Sequence, residues 1–159
     1  MKILVISDTH GSMAGVEQVL EKHGSFDLVI HLGDIIKQEK LLEQMCKCPV
    51  KYVCGNCDYG SENPIADIVE FGKNRALITH GHYYDCNWGI DQLCYAADGN
   101  QCNMVMYGHT HIPEIVENEG IIVLNPGSLT RPRQLNRRKS YIIIEVDEKG
   151  KADYRLYYL

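Results

Sequence analysis

The chain has 159 residues, with 16 Lys+Arg against 21 Asp+Glu for a net charge of −5, and it carries 7 His and 7 Cys. That is the length of one domain, expected to span 1–159, and with 45% apolar and 23% charged residues it excludes a disordered chain. The acidic balance excludes a protein that coats nucleic acid by neutralising its phosphates, and no run approaches the roughly 18 apolar residues of a membrane span.

Met1-Lys2 leads directly into Ile3-Leu4-Val5-Ile6 and then Ser7-Asp8, an apolar run too short for a signal-peptide core. With an odd number of Cys, this sets the expectation of a cytoplasmic protein with free thiols. Strands are expected at 2–7, 27–31, 50–54, 75–79 and 103–107, with helical patterns between them as in parallel crossover units. The first helix should follow Ser12 as N-cap and bury Met13, Val16, Val19 and Leu20. A second is expected over 36–45 through Ile36, Leu41, Leu42 and Met45. A third starts after Asn87, takes in Trp88, Leu93 and Ala96, and ends near Asp98-Gly99.

Hairpins are expected around Gly72-Lys73-Asn74, around Asn118-Glu119-Gly120, and around Asp147 to Gly150, where Tyr141–Val146 meets Ala152–Tyr158. The expectation is therefore an α/β chain with two mixed sheets packed together and helices outside.

Just beyond the candidate parallel strands lie Asp8-Thr9-His10, Gly33-Asp34, Gly55-Asn56-Cys57-Asp58, His80-Gly81-His82 and Gly108-His109-Thr110-His111. Sites in open α/β sheets form outside the carboxyl ends of strands, so these turns should converge. A mixed Asp/His/Asn set suits two divalent transition metals sharing a carboxylate, Mn, Fe, Zn, Co or Ni before the oxygen-loving Ca or Mg. Two such ions can clamp a phosphoryl group and activate water, which implies phosphate-ester hydrolysis.

This ordered series resembles the calcineurin-like metallophosphoesterase superfamily, with its D-x-H, GD, GN, HG or GH, and GHxH blocks. G-N-C-D and N-P-G-S add a likeness to its small YfcE-type phosphodiesterase branch, running from Lys2 to about Arg133. The resemblance implies a four-layer sandwich of two mixed β-sheets flanked by α-helices. It implies Asp8, His10, Asp34 and His111 at one metal, and Asn56, His80 and His109 with the bridging Asp34 at a second. Manganese comes first among the metals expected. It further implies a hydroxide between the two ions that attacks a small phosphodiester or nucleotide-like substrate, with no membrane partner. The superfamily also includes a retromer subunit that acts by protein contacts, so a metal-bound interaction scaffold is the alternative, and self-association is open.

Where larger superfamily members pair His with a carboxylate at the leaving group, this chain has Cys57-Asp58. A thiol is a poorer acid near neutrality than imidazolium, so diesters are expected over alkyl monoesters. His82 is expected to orient ligands or touch substrate, while His23 and His31 are read as capping and packing residues, His31 also as a neighbour of the ligands. Cys46, Cys48, Cys54 and Cys57 have a spacing that structural zinc could use, but Asn56 lies inside the Cys-x-x-Cys and is already explained. Arg131, Arg133, Arg137, Arg138 and Lys139 form a basic run, most simply a solvated loop. Its functional reading has Ser128, Arg131 or Arg133 meeting substrate phosphate beside Asn56 and His82. Tyr83, Tyr84 and Trp88 are expected to line a pocket for a base or aryl group.

Overall fold

A computed structural model describes residues 1–159. The elements in chain order are β1 (Lys2–Ile6), α1 (Ala14–His23), β2 (Leu28–His31), α2 (Glu39–Cys46) and β3 (Val50–Tyr52). Next come β4 (Ala66–Phe71), β5 (Asn74–Thr79), a 3-10 turn (His82–Tyr84), α3 (Asp91–Gly99) and β6 (Met104–Met106). The chain closes with β7 (Glu114–Asn118), β8 (Ile121–Asn125), β9 (Ser140–Val146) and β10 (Ala152–Tyr158). One five-stranded sheet runs β10-β9-β1-β2-β3 and the other β4-β5-β6-β8-β7.

The apolar runs explain the layering. In β1, Ile3 and Val5 face the second sheet and join Ile30, Ile78, Met104, Met106 and Ile142 in the central core. Leu4 and Ile6 point the other way, onto Val16 and Val19 of α1 and Leu42 of α2. The second sheet turns Leu77, Val105 and Val123 outward onto Leu93, Cys94 and Ala97 of α3. Strands covered on both faces have no polar side, which is why KILVI is uninterrupted. The result is four layers, two helices, two sheets and one helix, as the resemblance implied.

In the first sheet β1, β2 and β3 are parallel; in the second β5, β6 and β8 are parallel. The third hairpin forms as expected, and so do β4 with β5 and β7 with β8. What the pattern missed is that β8 also pairs in parallel with β6, which carries the Asn125-to-Ser128 turn to the same edge as the other turns.

Four local expectations are corrected. Ser12 is not the N-cap of α1: Met13 precedes the helix, and the Ser12 N–H is spent on the Thr9 carbonyl within the turn that carries His10. The second helix cannot begin at 36, because Ile36 and Lys37 have φ of 55° and 58°, outside the helical region. The third begins at Asp91; Trp88 lies before it and is 91% exposed. The third strand ends at Tyr52, beyond which Cys54 N–H donates to the Pro64 carbonyl instead of a ladder partner.

Candidate metal centre

Asp8 and His10 follow β1, Asp34 follows β2 and Asn56 follows β3, all from the first sheet. His80 follows β5, and His109 and His111 follow β6, from the second. The structure brings all seven to one edge of the sandwich. Five of them have left-handed backbone: Asp8 (φ 54°), His10 (46°), Asp34 (57°), His109 (63°) and His111 (59°). That region costs a non-glycine residue about 1 kcal/mol or more, so it persists only where surrounding structure enforces it.

Here the enforcement is backbone pairing between loops. Asp8 N–H donates to the Gly33 carbonyl, His10 N–H to the Asp34 carbonyl, and Gly11 N–H to the Ile35 carbonyl, extending the β1–β2 pairing past the strand ends. Two glycines let the carboxylates in. A Cβ on Gly55 would sit 2.1 Å from Asp34 Oδ1, and one on Gly108 would sit 2.0 Å from Ser7 Oγ and 2.9 Å from Asp8 Oδ2.

The donor atoms fall into two overlapping groups. In the first, Asp8 Oδ1 lies 3.0 Å from His111 Nε2 and 3.9 Å from His10 Nε2. The two imidazole nitrogens are 3.3 Å apart, and His10 Nε2 is 3.8 Å from Asp34 Oδ2. In the second, Asn56 Oδ1 lies 3.2 Å from His80 Nε2 and 2.9 Å from His109 Nδ1, and His80 Nε2 is 3.7 Å from Asp34 Oδ1. The two Asp34 oxygens thus face different groups. Atoms bound to one cation at about 2.0 to 2.2 Å stand roughly 3.0 to 3.6 Å apart, close to this spacing.

The strongest sign that the residues fit a cation is Asp8 Oδ1. It is buried and close to His111 Nε2, yet takes no hydrogen bond. An orphaned carboxylate oxygen inside a protein is costly unless a cation answers it. Burial lowers His10 and His109, so both favour the neutral form that binds metal.

Partners behind the rings fix which nitrogen faces inward. His80 Nδ1 donates to the Leu32 carbonyl at 2.6 Å and His111 Nδ1 to the Arg131 carbonyl at 2.7 Å, each freeing Nε2. His109 is turned the other way: its Nε2 meets the Asn87 side chain at 3.1 Å, so Nδ1 faces the centre. In the sequence Asn87 marks only a helix boundary, and nothing there ties it to a residue 22 positions away.

The residues expected around the metals divide. Asp58 lines the same hollow as Cys57, but its carboxylate is occupied by backbone. It is buried, its Oδ2 accepts the N–H groups of Asp34 (2.7 Å) and Gly55 (2.8 Å), and its Oδ1 accepts that of Ile36 (2.8 Å). Ser128 is fully buried and cannot touch substrate. Its hydroxyl donates to the Asp8 carbonyl at 2.8 Å and accepts the N–H groups of Thr130 and Arg131. Both corrections share a physical reason: left-handed loops leave backbone groups that only a side chain can satisfy.

Cys57 does lie at the centre. Its N–H donates to Asp34 Oδ1 at 2.7 Å, and its sulfur groups with donor atoms of His10 and Asp34. Burial, then the adjoining Asp34, pushes the thiol up to about 11. Cys46, the last residue of α2, and Cys48 instead pack into the apolar layer between the helices and the first sheet, and the Cys54 thiol turns to the Gly55 carbonyl.

His82 stands beside the ligands, its ring centre 5.3 Å from that of His80 and 6.0 Å from that of His109, with Nδ1 buried and unpartnered. His31 is buried against Thr9 Oγ1 at 3.0 Å and driven down to about 4 by burial, a neutral support under the Asp8 turn. His23 contacts the Tyr141 hydroxyl at 2.7 Å, as packing predicts. Arg131 and Arg133 are exposed at the rim, where Arg133 Nη1 reaches the His109 carbonyl at 3.4 Å.

The aromatic residues separate. Tyr83 joins Tyr59, Ile65, Asn56 and His82 around a hollow of about 300 Å³. Tyr84 and Trp88 border a different, smaller one.

The calcineurin-like phosphoesterase superfamily domain matches residues 1–149. The chain belongs to that superfamily. Among its relatives, the probable metallophosphoesterase YsnB of Bacillus subtilis is 31% identical over 99% of this chain and 90% of its own. Phosphodiesterase YfcE of Escherichia coli K12 is 30% identical over 84% of this chain and 82% of its own. A protein from Streptococcus pneumoniae described as a predicted phosphoesterase superposes with a TM-score of 0.80 at 29% identity, over 99% of this chain and 97% of its own. Vps29 from Entamoeba histolytica, solved with zinc, reaches the same TM-score of 0.80 over 99% of each chain, but at 21% identity it shows the fold alone. Membership of the superfamily implies divalent metal ions, and the converging Asp, His and Asn donors of this phosphoesterase are where they fit.

Proposed function

We propose that the chain is a metal-dependent phosphodiesterase that hydrolyses a small phosphate diester with two divalent transition-metal ions, manganese first among them. The observation that carries this is Asp34, whose two carboxylate oxygens face separate groups of donors. Asp8, His10, Asp34 and His111 would hold one ion, and Asp34, Asn56, His80 and His109 the other. When bound, such ions supply Lewis-acid activation of water and neutralise charge on the phosphoryl oxygens.

The protein's own groups do the rest. Asp34 keeps one geometry because the Cys57 N–H holds Oδ1. The Asn56 amide, with Nδ2 only 3.4 Å from the Cys57 sulfur, has an N–H to offer a phosphoryl oxygen. Burial and His80 lower His82, which therefore offers a neutral imidazole rather than a full charge. Tyr59 and Tyr83 give the hollow beside His82 a flat, amphipathic wall suited to a base or aryl group. The likeness to YfcE supports the diester reading.

The test is to strip the protein of metal and restore it with Mn, Co, Ni or Zn on bis(4-nitrophenyl) phosphate. Turnover that returns with metal is the expected result; none with any of the four sinks the enzyme reading. The alternative scaffold draws its support from the exposed Trp88, Tyr95 and Tyr83, and predicts partner capture indifferent to metal.

A thiol held near 11 donates a proton poorly at neutral pH, so leaving groups that need one should be cleaved slowly. Cys57→His should therefore raise activity on an alkyl monoester such as glycerol 2-phosphate, relative to bis(4-nitrophenyl) phosphate, by about tenfold or more. An unchanged ratio of the two kcat/KM values would count against Cys57 as the source of the preference.

A further inference from the structure

Arg131, Arg133, Arg137 and Lys139 line a hollow of about 510 Å³ together with Thr130 and Pro132, and no carboxylate stands in its wall. The Lys and Arg side chains that do pair with carboxylates lie elsewhere, at Lys51, Arg75 and Arg155. Arg138, the fifth member of the basic run, is turned away, its guanidinium 4.8 Å from the Tyr158 ring centre. Four cations without counter-charge in a chain of net charge −5 repel one another, and an anion between them relieves that repulsion.

This hollow is built onto the metal centre. The Arg131 carbonyl accepts from His111, the Arg133 N–H donates to the His111 carbonyl at 3.1 Å, and Thr130 Oγ1 donates to the Thr9 carbonyl at 2.9 Å. Its other end is held by the Lys139 carbonyl, which accepts the Leu159 N–H at 3.0 Å, and by the Ser140 N–H, which donates to the Ser128 carbonyl. Arg131 and Arg133 adjoin the centre through these bonds, whereas no hydrogen bond ties Arg137 or Lys139 to a donor residue, so the hollow offers an anion position beside that of the phosphorus being attacked.

We propose that this hollow is a second phosphate subsite, so that the substrate is a diester carrying a separate phosphomonoester, a nucleoside-bisphosphate type of molecule. The proposal rests on the phosphodiesterase reading for its chemistry. Three guanidinium groups and one ammonium suit a phosphate dianion, which takes paired N–H donors from Arg. The acidic remainder of the surface disfavours a long polyanion, so the ligand is a small molecule.

The experiment compares thymidine 5′-(4-nitrophenyl phosphate) with and without a 3′-phosphate, using the full chain loaded with manganese. The 3′-phosphate should lower KM by about tenfold or more, and Arg137→Glu with Lys139→Glu should cut that preference to below about threefold. Equal KM values, or a preference that survives in the double variant, overturns the proposal. If neither thymidine ester is cleaved, the phosphodiesterase reading fails, and the subsite is judged by calorimetry on the metal-free chain. Tighter binding of adenosine 3′,5′-bisphosphate than of adenosine 5′-monophosphate, lost in the double variant, supports it. Equal binding of the two nucleotides overturns it, as does binding to phosphatidylglycerol vesicles without discrimination between them.

Discussion

Asp34→Asn should lower metal-restored diester turnover by about 10³-fold while leaving the fold intact. The substitution keeps the size of the side chain and an oxygen for the Cys57 N–H, so the loop retains its hydrogen bond. It removes the negative charge, turns Oδ2 into an amide nitrogen that offers protons to His10, and leaves only a neutral carbonyl oxygen facing His80. Both donor groups are weakened at once, one by losing an oxygen and the other by losing its charge. The measurement is kcat/KM on bis(4-nitrophenyl) phosphate together with metal content per chain and a thermal melt. Turnover above about a tenth of wild type would remove Asp34 from its shared position.

Asp58→Ala should destabilise the protein by about 3 to 5 kcal/mol, because it strands three N–H groups, those of Asp34, Gly55 and Ile36, with no acceptor. For a chain of this length that is a fall in Tm of about 10 °C. Activity should fall too, by the same factor for good and poor leaving groups, since the damage is to the position of Asp34. A loss confined to poor leaving groups, with an unchanged melt, would return Asp58 to the acid role that its place beside Cys57 suggested.

The fold and the ligands were legible for a common reason. Strands buried on both faces must be apolar throughout, so KILVI and MVM announce themselves, and metal donors must be Asp, His or Asn at strand ends, a short list. The helix starts were not legible: Ile36 looks like the first residue of an apolar helical stripe, and only a left-handed backbone held by Asp58 excludes it. Asp58 and Ser128 misled for a related reason. Their side chains answer backbone groups exposed by strained loops, and a sequence records neither the strain nor the orphaned N–H. Asn87 was invisible because its partner His109 belongs to another loop, brought near by the packing of α3 and the preceding turn on the second sheet.

The seven donors are divided between the sheets, four after strands of the first and three after strands of the second. The centre is therefore a seam. Asp8 reaches across it to His111, and Asn56 reaches across to His80 and His109. Cations lodged in that seam would rivet two halves of the sandwich that otherwise adhere through Ile3, Ile30, Ile78, Met104 and their neighbours and through bonds such as that of His80 to the Leu32 carbonyl. Ligands split in this way cannot assemble on either sheet alone, so a chain caught half-folded has no place to capture metal, and loading becomes a mark that the two sheets have docked.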